Sequence, residues 1–224
     1  MSAAALAYES FRSDGRDEWM MRIGDREATP ILFVPPLFEE MNRTRALIGA
    51  VMRRLAARGH ACWLPDLAGT GESERPLEAV GWGDWRNDVM AAAEHAAAAA
   101  GRRPLIAALR GGALLDDAAE ANGRWRMAPV AGASLVRDMV RAGIAGVEWA
   151  GYAPSEALKA SIGAATPAEA APMRVARLAS DAGAADVKLP GPALWRRSEP
   201  GASEELAEAI AADLAHWGSA CAAC

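Results

Sequence analysis

Short, continuous apolar runs alternate along the chain with longer stretches in which apolar residues recur every three or four positions. The runs cover residues 30–35, 61–64 and 105–109, and we expect each of them to form a strand that is buried on both faces. Helical spacing is clearest between the first two runs and in the alanine-rich residues 82–100. This alternation predicts an α/β fold, a mostly parallel sheet with crossover helices.

Turn and cap residues bound the remaining predicted elements. In chain order these are a hairpin at about residues 8–23, a helix capped by Asn42 or Thr44 and ended by Gly59, a helix over residues 112–121, strands at 125–130, 173–178 and 186–189, a helix with the capping box Thr166–Glu169, and a last helix capped by Ser203. Residues 131–165 occupy the place of a lid and are too few for a large one. We expect one domain over residues 1–224 with little or no lid, and a frayed tail at 218–224.

Composition and charge narrow the classes of function. The chain has 224 residues, a net charge of −5 and much alanine, which suggests a GC-rich bacterial genome. No basic run exceeds two residues, so general nucleic-acid binding is not expected. No stretch approaches the roughly 18 apolar residues of a membrane span, and the first residues lack the basic segment of a signal peptide. We therefore expect a cytoplasmic protein without an integral membrane segment.

The three cysteines are too few for a disulfide framework. Cys62 lies in a predicted strand, where it serves as a small apolar residue. Cys221 and Cys224 form Cys-x-x-Cys at the very end, without the second ligand pair of a metal site or the context of a redox motif. We expect neither a metal nor a cofactor.

The segment Leu109-Arg110-Gly111-Gly112 follows a predicted strand with residues small enough for a tight corner. In serine hydrolases of the α/β class, the nucleophile elbow Gly-x-Ser-x-Gly turns a strand sharply into a helix and exposes the serine hydroxyl. Aligned on this corner, the chain has Arg110 at the nucleophile's position. A guanidinium has five donors and stays protonated, so it cannot attack a carbonyl carbon. The segment predicts a hydrolase scaffold without its nucleophile.

The other members of a Ser-His-Asp triad are incomplete as well. The histidine of such a triad lies in the loop after the last strand, and residues 189–200 contain none. His60, His95 and His216 lie elsewhere and are expected to be structural or exposed to solvent. Asp181 stands where the acid would lie, but an acid without a histidine has nothing to orient. We therefore predict that conventional triad catalysis is absent.

Charged and amide side chains crowd Val34–Arg45, which follows the strand whose outgoing loop forms part of the oxyanion hole in this fold. A cation such as Arg110 at a helix N-terminus needs an anionic partner. Either Glu39 or Glu40 pairs with it, or an anionic ligand does, and we favour the internal pair. The glycine-rich turn Asp66–Ser73 is expected to serve the fold alone.

Several of these elements resemble the exosortase A system-associated hydrolases, in the second of that family's two types. They are Val34–Arg45, with Pro-Pro-x-x-Glu-Glu-Met-Asn as its most specific part, Asp66-Leu-x-Gly-x-Gly-x-Ser73, Trp85-Arg-x-Asp88, Leu109-Arg110-x-Gly112-Ala-Leu-Leu115 and Ala150-Gly-Tyr152. The resemblance covers about residues 30–200, with local departures at Leu37 and Gly111. It implies an α/β-hydrolase fold, an arginine at the elbow, and a genomic setting with exopolysaccharide biosynthesis and the sorting of proteins that bear a Pro-Glu-Pro signal.

Two hypotheses about function follow. In the first, an atypical hydrolase of the ester or thioester class binds a small anionic or acyl substrate through Arg110 and backbone amides, and Glu39 or Glu40 activates water. In the second, a non-catalytic binding or scaffolding protein of the polysaccharide or sorting machinery has an anion pocket at Arg110. Glu40, Asn42, Arg45 and Arg110 match the family's pattern. The predicted catalytic residues are Glu39, Glu40 and Arg110, and the predicted substrate-binding residues are Phe38, Asn42, Arg45, Leu109 and Gly111.

Overall fold

The computed structural model describes residues 6–142, 149 and 151–222, and within them eight strands form one sheet. The strands are β1 (Leu6–Ser13), β2 (Arg16–Ile23), β3 (Thr29–Val34), β4 (His60–Pro65), β5 (Leu105–Leu109), β6 (Gly123–Met127), β7 (Met173–Leu178) and β8 (Val187–Leu189). Their order is β1-β2-β4-β3-β5-β6-β7-β8. The hairpin β1–β2 and the pair β2–β4 are antiparallel, and the other neighbours are parallel. The predicted, mostly parallel sheet is confirmed.

Five helices cover the two faces of this sheet in the described part of the chain. They are α1 (Glu39–Ala57), α2 (Trp82–Ala100), α3 (Gly132–Ala142), α4 (Glu156–Ala164) and α5 (Glu204–Ala222). Alternate residues of β3 point into different cores: Ile31 and Phe33 pack with α1 and α5, and Leu32 and Val34 pack with α2, α3 and α4. A strand that buries both faces has no polar alternation, which explains the continuous apolar runs. None of the described helices combines the length and apolar character that a membrane span needs.

The predicted helix over residues 112–121 is wrong. The chain there forms two short 3₁₀ turns, Arg110–Leu114 and Asp116–Ala118. The cause is a neighbouring strand, since Arg124 of β6 donates hydrogen bonds to the backbone oxygens of Asp116 and Ala119, at 2.9 and 2.6 Å. These carbonyls are thereby satisfied without a helical ladder, and two glycines at the start disfavour a helix further.

The predicted starts of two other helices also need correction. The helix α1 begins at Glu39, and its N-cap position is Phe38, so neither Asn42 nor Thr44 caps it. No helix follows the capping box at Thr166, because residues 165–170 have no regular structure. Prolines at positions 167 and 172 leave too few residues between them to repay helix nucleation.

The last helix extends into the segment that the sequence predicts to be a frayed tail. The helix α5 starts with the predicted cap, in which Ser203 Oγ accepts the N–H of Leu206 at 3.2 Å, and it continues to Ala222. Residues 218–222 are therefore helical, and Trp217 and Cys221 pack so closely on Gly123 that a Cβ there would lie 2.8 and 3.1 Å from them. Ala150 and Cys224 lie outside the described residues.

Candidate functional site

The corner after β5 has the strained geometry of a nucleophile elbow, with Arg110 at its apex. Arg110 has a positive φ of 52°, a conformation that costs a non-glycine residue about 1–3 kcal/mol and persists only where the surroundings impose it. Gly112 lets the corner approach the end of β3, since a Cβ there would lie 2.5 Å from the Val34 oxygen and 2.6 Å from the Pro35 oxygen. The scaffold predicted from Gly111 and Gly112 is thus present with an arginine in it.

We expect Gly112→Ala to lower the free energy of unfolding by about 2–3 kcal/mol, because the added methyl overlaps backbone atoms that cannot rotate away. Urea unfolding of the purified protein measures this. The control is Gly83→Ala in α2, where a Cβ meets nothing within 4 Å and helix propensity favours alanine by up to about 1 kcal/mol. Equal stability of the two variants would contradict the close approach at Gly112.

Glu40 is brought to this corner by the local sequence of the loop after β3. Pro35 and Pro36 lack a backbone N–H and keep the chain extended, and Phe38 turns it with a positive φ of 57°. The helix α1 therefore begins at Glu39, which places both acidic residues in its first turn. Both lie at the carboxyl edge of the sheet, the edge where ligands bind in open α/β sheets.

Arg110 and Glu40 form a buried ion pair. The Arg110 Nε and Nη2 atoms donate to Glu40 Oε1 at 3.1 and 2.9 Å, and Nη1 donates to the Ala128 oxygen at 3.4 Å. The two side chains are only 7% and 9% exposed. Trp195 lies against the guanidinium, 5.3 Å from it to the ring centroid. The ion pair favoured from the sequence is therefore formed. Burial rather than a helix dipole makes the partner necessary, since Arg110 begins a 3₁₀ turn and not an α-helix.

The second carboxyl oxygen of Glu40 is not held by Arg110. Oε2 is buried and has no hydrogen-bond partner among the residues that the structure describes. Burial raises the pKa of Glu40 above its ordinary value, and the charge of Asp138 adds to this, while the Arg110 guanidinium opposes it. A carboxyl with a raised pKa and one unengaged oxygen suits proton transfer.

Glu40 and Arg110 line a pocket of about 390 Å³, a size within the range of about 300–1,000 Å³ for small-molecule sites. The other lining residues are Glu39, Arg43, Leu135, Asp138, Met139, Arg141, Trp195 and Arg196. A second pocket of about 230 Å³ shares Arg110, Trp195 and Arg196 with the first and includes Asp181. We call these the main and the side pocket.

The predicted site residues fall into three groups. Glu39 joins Glu40 and Arg110 in the main pocket, where it pairs with Arg43 at 3.5 Å and accepts the Asn42 amide at 3.1 Å. Phe38, Asn42 and Arg45 instead line a separate cavity of about 60 Å³. Leu109 and Gly111 are buried in the core and line neither the main nor the side pocket.

The residues of the small cavity are engaged with the protein itself. The Asn42 amide donates to the Tyr152 hydroxyl at 2.9 Å, and Arg45 pairs with Asp66 at 3.4 Å. Phe38 is 2% exposed and makes edge contacts with aromatic rings that include Tyr152 at 5.3 Å between centroids. These contacts tie α1 to the chain around Tyr152 and Asp66.

The Trp85-Arg-x-Asp88 element holds the glycine-rich turn in place. Trp85 Nε1 donates to the Ala68 oxygen at 2.9 Å, and Asp88 Oδ2 accepts the Ala68 N–H at 2.8 Å. A Cβ on Gly71 would lie 2.3 Å from the Asp66 carboxyl, so only glycine fits there. The contacts give this turn a structural role.

Sequence reasoning missed the main pocket's far wall. Asp138 and Arg141 come from α3, and Trp195 and Arg196 come from the 3₁₀ turn Leu194–Arg196 after β8. The sequence signal in the loop after β8 is Trp195 followed directly by two arginines. Nothing in the sequence indicates that Asp138 lies near Glu40.

The histidines lie away from these pockets. His60 begins β4 at the opposite, amino edge of the parallel strands, His95 on α2 lies 3.1 Å from Glu9, and His216 is on α5. Asp181 accepts the Gly183 N–H at 2.9 Å and the Arg177 guanidinium at 3.0 Å, and these bonds lower its pKa. Within the described residues, no group of three or more histidine, cysteine or acidic side chains could hold a metal.

No protein-family model and no curated protein matches the sequence. Among solved structures, Est1E from Butyrivibrio proteoclasticus with bound ferulic acid matches with a TM-score of 0.58 and 14% identity, over 75% of this chain and 77% of that chain. The esterase Est22 matches with a TM-score of 0.45 and 16% identity, over 57% of this chain and 45% of that chain. For the thioesterase domain from the curacin biosynthetic pathway, the TM-score is 0.44 with 15% identity, and the match covers 61% of this chain and 52% of that chain.

The match thus spans about half the length of Est22 and of the curacin thioesterase domain, and more of Est1E. Identities this low concern the fold alone. The mostly parallel sheet, the strained corner after its central strand and the match to Est1E agree. The chain has an α/β-hydrolase fold.

Proposed function

We propose that the protein is an atypical hydrolase of the ester or thioester class, in which Glu40 activates water and Arg110 binds the carbonyl oxygen. One observation carries this proposal: the Glu40 carboxyl is held through Oε1 by Arg110, while Oε2 has no partner among the described residues. Both residues line the main pocket. Glu39 is the weaker candidate, since its carboxyl is engaged by Arg43 and Asn42.

The chemistry requires one proton acceptor and one oxyanion donor. The water oxygen bonds to the acyl carbon as its proton passes to the Glu40 carboxylate, and the carbonyl π pair moves onto the carbonyl oxygen. Arg110 has five N–H bonds, of which three donate within the described structure, so others are available to the oxyanion. Collapse breaks the C–O or C–S bond, and the leaving group takes the proton from Glu40.

This reaction dispenses with a Ser-His-Asp triad. Support comes from Arg110 at the apex of the elbow and from Trp195, which packs against it from the loop where a histidine would lie. The three histidines line neither the main nor the side pocket.

Hydrolysis of 4-nitrophenyl acetate by the purified protein tests the role of Glu40. Glu40→Gln keeps the side-chain volume and an acceptor for Arg110, but cannot take a proton, so kcat should fall by about 10²–10⁴. The same change at Glu39 should cost much less. A folded Glu40→Gln variant with the wild-type rate would overturn the proposal.

The pH dependence gives an independent readout. The carboxylate form of Glu40 is the active base, so kcat/KM should fall as the pH drops through the Glu40 pKa. Burial raises that pKa, so this loss should occur above the ordinary carboxyl range. The acidic limb should be missing from the residual rate of Glu40→Gln.

A second function is a non-catalytic binding or scaffolding protein with its anion pocket at Arg110. It is favoured by the way Arg110 is immobilised between Glu40, Ala128 and Trp195, which would hold it for a ligand without turnover. A carboxylate that raises the unfolding midpoint while no ester or thioester is cleaved would support this function instead.

We place either function in bacterial exopolysaccharide synthesis or in the sorting of proteins with a Pro-Glu-Pro signal. The support is the resemblance of the elements at Val34–Arg45, Asp66–Ser73 and Leu109–Leu115 to the exosortase A system-associated hydrolases. A cytoplasmic location belongs to the same proposal, and the buried free thiol of Cys62 is consistent with it.

A further inference from the structure

Four arginines line the main and side pockets, and three of them lie beside an acidic residue of the main pocket. Each of the four acidic side chains that line them already has an arginine close by. These pairs are Glu39–Arg43 at 3.5 Å, Glu40–Arg110 at 2.9 Å, Asp138–Arg141 at 3.9 Å and Asp181–Arg177 at 3.0 Å. Arg196 is left over: the described part of the chain gives its guanidinium no hydrogen bond or ion pair.

Arg196 lies where the two pockets meet, and its backbone is held in place. It lines both pockets, as do Arg110 and Trp195. Its neighbours Leu194 and Trp195 are 0% and 4% exposed, and Arg43 donates a hydrogen bond to the Trp195 oxygen at 3.2 Å. The Arg196 N–H donates to the Ala193 oxygen at 3.0 Å. An exposed cation is thus anchored beside the reacting groups.

We propose that the substrate is an ester or thioester whose acyl part bears a negatively charged group, and that Arg196 binds this group while Arg110 and Glu40 face the carbonyl carbon. The proposal rests on the hydrolytic function proposed above. A guanidinium donates two parallel hydrogen bonds to a carboxylate or a phosphate, so either group meets its geometry. The other arginines of the pockets are already opposite an acid, which makes Arg196 the specificity-determining residue.

The test compares two esters that differ in charge at the far end of the acyl chain. The anionic one is the mono-4-nitrophenyl ester of adipic acid, and the neutral one is 4-nitrophenyl heptanoate. For the wild type, kcat/KM should be about tenfold higher for the anionic ester, at low salt, where an exposed charge is least screened. Arg196→Gln should abolish this ratio. Arg197→Gln removes the neighbouring charge outside both pockets and should keep it.

Binding is measured separately from turnover, as the shift of the thermal unfolding midpoint by monomethyl adipate. The shift should appear in the wild type and in Arg197→Gln and be absent in Arg196→Gln. A wild-type ratio near one, or a ratio that survives in Arg196→Gln, overturns the proposal.

The two proposals fail in different ways. If both esters are cleaved equally and monomethyl adipate causes no shift, the anion-specific substrate is wrong and the hydrolase stands. If neither ester is cleaved but the shift depends on Arg196, hydrolysis is wrong, and the anion site stands as that of a binding protein. A phosphorus anion in place of the carboxylate is examined with the mono-4-nitrophenyl carboxylic ester of 5-phosphonopentanoic acid, whose cleavage should show the same dependence on Arg196.

Discussion

Replacing Arg110 by methionine is expected to lower the free energy of unfolding by about 3–5 kcal/mol, because Glu40 then remains buried without its cation. For a chain of this length that corresponds to a fall of about 6–20 °C in the unfolding midpoint. Thermal and urea unfolding of the purified variant measure the loss. Hydrolysis should be lost as well, since the oxyanion donor is gone.

A double variant distinguishes the cost of burying an unpaired charge from the cost of lost packing. Arg110→Met with Glu40→Leu removes both charges, and it should recover most of the stability, since a well-packed apolar replacement of a buried pair is often neutral. A double variant as unstable as Arg110→Met alone would contradict the ion pair as the cause.

The deficit of Arg110→Met should also depend on pH. Burial raises the pKa of Glu40, and removing the guanidinium takes away an influence that lowers it. A carboxyl whose pKa is higher in the folded than in the unfolded state binds protons preferentially in the fold, so stability rises as the pH falls. The variant should therefore lose less, relative to the wild type, as the pH drops from the still higher Glu40 pKa of the variant to the raised Glu40 pKa of the wild type. An unchanged deficit over this range would count against an ionised, unpaired Glu40.

Arg126→Met is expected to lower the free energy of unfolding by an amount at the upper end of the same range, about 3–5 kcal/mol. Arg126 Nε and Nη2 each donate to Asp116 at 2.7 Å, and the two side chains are 3% and 0% exposed. The pair ties the 3₁₀ turn after the elbow to β6, so its loss leaves a fully buried carboxylate unpaired. Urea unfolding measures this too.

The matched control for Arg126 is Arg86→Met, which breaks the pair of Arg86 with the neighbouring Asp117. Those side chains are 35% and 30% exposed, so solvent screens the charges and the expected cost is about 0–1 kcal/mol. Similar losses in Arg126→Met and Arg86→Met would show that burial does not set the cost of the Asp116 pair.

The elements that the sequence predicts correctly are those in which neighbouring residues carry the information. The run at residues 30–35 predicted β3 because a strand buried on both faces is continuously apolar over its own length. The strand β7 has the predicted bounds of residues 173–178, and Ser203 caps α5 as its spacing indicated. The tight corner after β5 was likewise predicted from its small residues, and Arg110 has a positive φ of 52° there.

By itself, then, the sequence determined the alternation of strands and helices, the place of the elbow and the lack of a histidine in residues 189–200. Only the tertiary structure decided that Glu40 rather than Glu39 meets Arg110, across 70 positions of the chain. It also decided that two 3₁₀ turns, with Arg124 donating to their backbone oxygens, replace the expected elbow helix. Among the residues that the structure describes, it gives Arg196 no acidic partner. The physical reason is that strand and helix patterns depend on residues a few positions apart. The pairing of buried charges depends on which distant elements the sheet order brings together.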